Sequence, residues 1–385
     1  MSRKLKTSKV QKAKRGSKKH GYKSHKMNTA ERKDHRNRSA LHLVEDRDIL
    51  YALVVGRRGP VYLVEWMDPK TLIDLDLLDE DQVESSYQLS NVYETETGIS
   101  YNIGDQIPCI AKGQGKSAVV GDWVQFVWEQ SDLGHGLMVK VQSRTNALVR
   151  LDALGRRPQT LAANLDRIWV VCAVEPPPKS GLIDRYLVAA HAQGIEAGLI
   201  FNKIDLIMDE EHVEEIEDLL MPYRKLKIPV ILASASSIDG IDDLHKALAE
   251  TRNVLVGHSG VGKTSLLNAL IPGLSEEVTA LSEATGKGQH TTTSSTLYRL
   301  PHGGEIIDSP GIRSFGLWGI ESQQLRSHFI EFLPWAEQCQ FHNCSHTVEP
   351  KCAVIQAMDD DLISFERYDA YVRIYEDLLE SENKR

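Results

Sequence analysis

The chain has 385 residues, room for two or three domains at about 100–200 residues each. Hydrophobic residues are 41% and charged residues 26%, and the longest apolar runs, Ile49 to Val55 and Ile168 to Val174, fall far short of the about 20 residues a bilayer span needs. No apolar stretch follows the charged N-terminus and only five cysteines are present, so the composition argues against a membrane span, a secreted protein, a disulfide scaffold or a wholly disordered chain, and for a cytoplasmic protein with reduced thiols or a metal site.

The net charge of -9 hides two regions of opposite sign. Residues 1–40 carry 15 Lys/Arg against only Glu31 and Asp34, a net of +13, which leaves -22 on the rest. Residues 1–44 almost lack large apolar side chains, so nothing offsets the entropy of ordering them, and a basic disordered arm is expected. A solubilising tail is the plain reading. Positive charge in particular also grips phosphate, which favours an RNA-binding arm.

Over residues 45–150 the pattern is short strands. ILYALVV, VYLVEW, QIPCIA, DWVQFVW and LMVKVQ are rich in β-branched and aromatic residues and are parted by turns such as GRRGP and VVGD. Five such strands fit a small closed β-barrel, either an OB-fold or an SH3-like barrel. The acidic stretch at 68–96 interrupts them and reads as a loop insertion with no evident function.

Residues 151–318 change grammar. RIWVVCAV is a continuous apolar run, as a buried parallel strand requires. Helical GLIDRYLVAAHAQ, strand AGLIFN, acidic helix DEEHVEEIEDLLMPY, strand PVILAS, helix DLHKALAE, strand NVLVG and helix KTSLLNALI follow. Alternation of this kind means a doubly wound α/β domain. Residues 319–385 read as mainly helical, with Leu362, Phe365, Tyr368, Val372, Tyr375 and Leu379 on one apolar face of a final helix.

Gly257, His258, Ser259, Gly260, Val261, Gly262, Lys263 and Thr264 match the P-loop pattern G-x-x-x-x-G-K-[ST] between a strand and a helix. Glycines let backbone N–H groups curl round phosphate oxygens, Lys263 reaches the β- and γ-phosphates, and the Thr264 hydroxyl meets Mg²⁺. A Gly-rich strand–helix turn is the plain alternative, which the matching context disfavours. The base is read elsewhere. Asn202, Lys203, Ile204 and Asp205 follow a strand, and a carboxylate there accepts both N–H groups of guanine, a pair that adenine lacks. Asn202 either bonds the base or ties loops together, and the Lys203 stem lies along the purine. Ser234, Ala235 and Ser236 end the next strand and offer a backbone N–H to guanine O6.

Asp308 closes the strand EIID and begins Asp308-Ser-Pro-Gly311, where an Asp can bind Mg²⁺ through water and the Gly311 N–H can sense the γ-phosphate; a plain turn cap is the alternative for Asp308. The polar segment Gly286 to Thr293 reads as a switch. One of Thr291, Thr292 and Thr293 completes the Mg²⁺ shell. Ile312 stands where Ras-like enzymes place a water-orienting Gln, and His290 is the nearest candidate catalytic substitute, contact with RNA or solvent being its plain alternative. NKID and SAS precede the P-loop, so the domain is circularly permuted.

Cys339, Cys344, His346 and Cys352 give C-x₄-C-x-H-x₅-C, the donors of a closed tetrahedral, structural Zn²⁺ site, one ion per chain. His342 is a rival ligand, and a chance cluster of buried thiols is the plain alternative. Cys109 and Cys172 lie in strands and read as small buried hydrophobes.

A barrel, then NKID, SAS, GHSGVGKTS, GKGQHTTT and DSPG in permuted order, then the zinc spacing, resembles the family of ribosome small-subunit-dependent GTPases (RsgA/YjeQ). GDWV at 121–124 and RTNALVR at 144–150 extend the likeness, which covers about residues 45–380. The resemblance implies an OB-fold, a permuted GTPase domain and a zinc domain, with Asn202 to Asp205 and Gly257 to Ser265 holding GTP and Cys339, Cys344, His346 and Cys352 holding zinc. It implies GTP hydrolysis stimulated by the small ribosomal subunit, a role in late maturation of that subunit, and its rRNA as a partner; a monomer without membrane attachment is expected. Two other readings use the same residues: a GTP-gated RNA-binding module with negligible hydrolysis, and a P-loop ATPase or small-molecule kinase, which NKID disfavours.

Overall fold

The structure, a computed structural model, describes residues 49–68, 71, 73, 92–94, 98–129, 135–151, 157–178, 181–274, 295–308, 317 and 319–383. The basic arm and most of the acidic insertion lie outside them.

The five apolar segments of the N-terminal region become β1 (Leu50–Arg58), β2 (Val61–Trp66), β5 (Gln106–Ala111), β6 (Trp123–Trp128) and β7 (Gly136–Val141). They run in the order β1-β2-β5-β7-β6, and β6 pairs back onto β1, so the barrel closes and keeps no free edge. β5 and β7 pair in parallel while the other neighbours are antiparallel. This five-stranded Greek-key closure is the OB arrangement and decides against an SH3-like barrel. Val54, Val64, Ile107, Val124, Phe126 and Met138 fill the interior. The insertion contributes a separate two-stranded hairpin, β3 (Val92–Glu94) and β4 (Ser100–Asn102).

GDWV and RTNALVR have a structural role. Asp122 is fully buried, and Arg144 donates to both its oxygens, Nε to Oδ1 at 2.6 Å and Nη2 to Oδ2 at 2.7 Å. That bidentate pair ties the turn before β6 to the strand β8 (Ala147–Leu151) region. The sequence showed no element between Gln142 and Asn164; the structure pairs β8 with β9 (Pro158–Ala163) as a hairpin.

The central sheet contains β10 (Arg167–Ala173), β11 (Glu196–Asn202), β12 (Val230–Leu232), β13 (Arg252–Val256), β14 (Thr296–Arg299) and β15 (Glu305–Asp308). Their spatial order is β12-β11-β10-β13-β15-β14, parallel except for β14. β10 shows why its run is wholly apolar. Ile168, Val170 and Cys172 face helices α1 (Leu182–Ala192) and α2 (Glu210–Lys225), while Trp169, Val171 and Ala173 face α3 (Ile241–Leu248) and α4 (Lys263–Leu270). Successive side chains alternate between faces, and both faces are covered. Trp169 places its indole against Gly198, where a Cβ would lie 2.5 Å from the ring, and donates its N–H to Asn253 Oδ1 at 2.9 Å. Asp209 caps α2, accepting from the His212 N–H at 3.0 Å.

An ion chain fastens the barrel to this sheet. Glu65 of β2 accepts from Arg299 of β14 at 2.6 Å, Arg299 meets Glu305 of β15 at 3.0 Å, and Glu305 accepts from Arg252 of β13 at 2.7 Å. Arg252 Nη1 returns to the barrel at the Gly121 carbonyl, 3.0 Å away.

The C-terminal region holds α5 (Leu333–Ala336), α6 (Ala353–Asp359) and the long α7 (Phe365–Asn383) around Phe329, Phe332, Val354, Tyr371 and Ile374. The expected apolar face of the last helix holds in part: Tyr368, Val372 and Tyr375 pack against this core, while the other three residues do not. Phe365 is 63% and Leu362 61% exposed, Leu379 is exposed too, and the buried stripe is Arg367, Ala370, Tyr371, Ile374 and Leu378. The face turns because Arg367 is drawn inward. Its Nη1 donates to Asp184 of α1 at 2.5 Å and its Nε to Glu331 at 2.6 Å, while the Tyr223 hydroxyl donates to Asp184 at 3.2 Å. Arg367→Met strands two buried carboxylates, which costs about 3–5 kcal/mol, so α7 amides should lose hydrogen-exchange protection before those of β10. Equal loss in both elements would show that the triad does not hold the C-terminal region separately.

Candidate nucleotide site and metal centre

The phosphate-loop sequence runs from the end of β13 into α4, at the carboxyl end of the parallel strands where such sheets take ligands. Its bend depends on glycine. Gly257 and Gly262 have φ of +146° and +90°, and a Cβ on Gly262 would lie 2.3 Å from Asn202 Nδ2. Lys263 Nζ folds over the loop and donates to the carbonyls of Gly257 and His258, both at 2.7 Å. Val261 is buried; His258, Ser259, Gly260, Thr264 and Ser265 are exposed. His258 Nδ1 lies 2.8 Å from the Ser259 carbonyl.

The second loop comes from β11. Asn202 is buried, and its amide donates to the Val261 carbonyl at 2.9 Å. Of its two roles open from the sequence, the structure displays the loop tie. Lys203 takes a left-handed conformation, φ +63°, and its ammonium donates to the Glu175 carbonyl at 2.5 Å. Ile204 and Asp205 sit in a short 3₁₀ turn. Ser234, wholly buried after β12, donates its hydroxyl to Asp205 Oδ1 and accepts from the Ser236 and Ser237 N–H groups, each at 3.1 Å. The Asp205 carboxylate is therefore oriented before any ligand arrives. Ala235 follows in the same turn.

Asp308 ends β15, two strands from β10 and beside β13. The structure thus brings the P-loop, NKID, SAS and Asp308 to the carboxyl ends of the parallel strands of one sheet. His290, Thr291, Thr292, Thr293, Gly311 and Ile312 lie outside the described residues. Glu175 escaped the sequence reading because its contribution is a backbone carbonyl, which no side-chain motif marks.

Cys339, Cys344, His346 and Cys352 offer one ligand atom each, all within 4.8 Å of one another. Cys339 Sγ lies 3.8 Å from Cys352 Sγ and 3.5 Å from His346 Nδ1, and His346 Nδ1 lies 3.3 Å from Cys352 Sγ. Thiolate bonds of about 2.3 Å in a tetrahedron give S···S edges near 3.8 Å, so the spacing fits a four-coordinate metal. His342 is not in the group. Burial pushes the Cys344 thiol up to about 12, and burial followed by the charge of Arg326 pulls His346 down to about 4. The imidazole is therefore in its neutral, ligating form, and the buried thiols need a cation to ionise.

The loop around the ligands is held from outside. Tyr368 and Tyr371 hydroxyls donate to the carbonyls of His346 and Ser345 at 2.9 and 2.6 Å, and Arg326 donates to that of His342 at 2.8 Å. Glu349 accepts from the N–H groups of Ser345, Thr347 and Val348 at 2.6, 3.2 and 3.3 Å. The sequence reading missed Glu349; the signal was a carboxylate between two metal ligands.

A permuted P-loop sheet between an OB barrel and a Cys₃His helical region defines a circularly permuted P-loop GTPase. A family model described as RsgA GTPase matches residues 141–318. Curated relatives named small ribosomal subunit biogenesis GTPase RsgA include one from Ectopseudomonas mendocina, 43% identical over 279 residues, 72% of this chain and 80% of that one. Another, from Haemophilus influenzae, is 38% identical over 330 residues, 84% and 90% of the two chains. The crystal structure of YjeQ from Thermotoga maritima matches with TM-score 0.63 at 28% identity, over 86% of this chain and 99% of that one. That of YloQ, described as a circularly permuted GTPase, matches with TM-score 0.61 at 25% identity, over 88% and 98%. This chain belongs to the RsgA GTPase family. Among the described residues, no helix is long and apolar enough to cross a membrane.

Burial pushes the Glu349 carboxyl up, but hydrogen bonds from the Ser345 N–H and hydroxyl and from the N–H groups of Glu349 and Thr347 outweigh it and hold it at about 2 against an ordinary 4.5. A depressed carboxyl contributes stability above pH 4.5 that is lost as pH falls toward 2. Wild type should therefore exceed Glu349→Gln in denaturant resistance at neutral pH, with the gap closing over that window. A gap independent of pH would remove the carboxylate from the loop's support.

Proposed function

We propose that this protein is a GTPase that binds the small ribosomal subunit and acts in its late maturation, hydrolysing GTP to GDP and phosphate with stimulation by the subunit. The observation that carries the nucleotide part is the Asn202 amide on the Val261 carbonyl, which sets NKID beside the phosphate loop. The ribosomal part rests on the name the relatives share.

In this reading Asp205 takes the guanine N1–H and N2–H₂, Asn202, Lys203 and Ile204 frame the base, and Ser234 and Ala235 close over it. Gly257 to Ser265 cradle the phosphates, and Lys263 exchanges loop carbonyls for phosphate oxygens. Thr264 and Asp308 hold Mg²⁺ with the nucleotide, and Gly311 senses the γ-phosphate. Cys339, Cys344, His346 and Cys352 hold one structural Zn²⁺. The protein acts as a cytoplasmic monomer, and its arm of net +13 engages rRNA by counterion release.

A second reading, a GTP-gated RNA-binding module with negligible hydrolysis, is favoured by Ile312, since an aliphatic side chain cannot orient water. The two differ in phosphate release. The protein alone should be slow and small subunits should accelerate it, with His290→Ala keeping GTP and subunit binding but losing most of the acceleration. No acceleration in wild type selects the second reading, and full acceleration in the variant removes His290 from the chemistry. Asp205→Asn should weaken GTP binding and improve xanthosine triphosphate binding, because the amide matches the 2-oxo group; an unchanged preference in competition binding would refute the assignment of Asp205.

A further inference from the structure

The insertion between β2 and β5 has no place in the nucleotide site, yet it makes one specific contact with the barrel. Tyr93 and Tyr101 are directly opposed on β3 and β4, so both rings leave the same face of the hairpin. Both meet Trp128, the last residue of β6. Tyr93 stacks on it with centroids 3.8 Å apart and planes 6° apart, and Tyr101 lies at 5.4 Å and 30°. Trp66 and Phe126 brace the indole edge-on, at 6.2 Å and 83° and at 5.6 Å and 81°. The remaining hairpin residues, Val92, Glu94, Ser100 and Asn102, face away and are exposed.

The location of that indole is informative. In this barrel β6 is the fourth strand and β7 the fifth, so Trp128 ends the fourth strand where the loop to the fifth begins, one of the loops with which OB barrels hold oligonucleotides. Single strands are held there by aromatic rings under successive bases. Beside Trp128, Glu129 is paired with the half-exposed Lys112 at 3.6 Å, a cation able to turn to a phosphate. What lies on the indole is a flat aromatic ring at base-stacking distance, in the position a nucleobase would take. Strands of three residues in a separate two-stranded sheet are marginal by themselves, so the hairpin is readily displaced.

We propose that Trp128 is a nucleobase-stacking site of the barrel, that Tyr93 and Tyr101 occupy it in the free protein in place of a base, and that single-stranded RNA displaces them. The choice of RNA as ligand rests on the ribosomal reading above. The site itself rests on the ring geometry.

The test uses the full chain and a fluorescent single-stranded oligoadenylate of about 12 nucleotides, with an abasic chain of the same length as control. Tyr93→Ala should tighten oligoadenylate binding about tenfold and leave abasic binding unchanged, since an uncovered ring gains a full base stack. In that background Trp128→Ala should abolish the gain and Trp128→Phe should keep most of it. The proposal is overturned if Tyr93→Ala gains nothing, if the abasic chain gains equally, or if the gain survives Trp128→Ala. Should Trp128→Ala lose its melting transition, the Phe variant and the abasic comparison decide. Subunit-stimulated phosphate release by wild type, measured in parallel, fails only if the ribosomal reading fails.

Discussion

One hydrogen bond organises the nucleotide end of the molecule: the Asn202 amide to the Val261 carbonyl, 2.9 Å long and fully buried. It joins the end of β11 to a loop that follows β13, two segments separated by 59 positions in the chain. The approach is so close that Gly262 can carry no side chain, since a Cβ there would overlap the same amide. If the two loops parted, the base reader and the phosphate loop would become separate sites of low affinity. Held together, they present the Asp205 carboxylate and the loop amides in a fixed relation, so that a nucleotide does not have to order them on binding.

This constraint explains why permutation is tolerated. The ends of neighbouring parallel strands β11, β10 and β13 form the site, and strand adjacency depends on side-chain packing across both faces of the sheet rather than on which strand is synthesised first. Permutation does change what the flanking regions touch. β14 and β15 follow the P-loop helix in the chain, and they are the strands whose outer ends carry Arg299 and Glu305 in the ion chain to the barrel. β14 also meets β1 at Thr296 and Gly56, with the Arg57 N–H donating to the Ser295 carbonyl at 3.1 Å. The barrel is thus an extension of the sheet edge that leads out of the segment 275–294. The helical region is attached elsewhere, to α1, through Arg367 and Asp184. The barrel thus reaches the sheet through its β14 edge and the helical region through α1, by separate sets of contacts.

Much of this was readable without coordinates. Alternating short strands marked the barrel, the continuous run Ile168 to Val174 marked a buried parallel strand, and glycines at fixed spacing before Lys263 and Thr264 marked a phosphate loop. The Cys₃His spacing marked the metal ligands. These signals are local. Each depends on backbone periodicity or on a few residues that must be close in the chain to act together, so composition and spacing suffice to reveal them.

Tertiary structure decided the rest. Five strands fit either of two barrels until the parallel pairing of β5 with β7 chose the OB arrangement, because strand pairing is set by contacts far apart in the chain. Periodicity placed Phe365 and Leu379 on the buried face of the last helix. The helix is rotated instead, because two carboxylates on other elements draw Arg367 into the interior and a buried charge must stay with its partners. His342 and His346 were both plausible ligands by spacing, and only the fold of the loop brought His346 Nδ1 to the thiols. Local pattern determined which segments form elements and which carry chemistry; partners distant in sequence determined which way those elements face, since a side chain's energy depends on what packs against it.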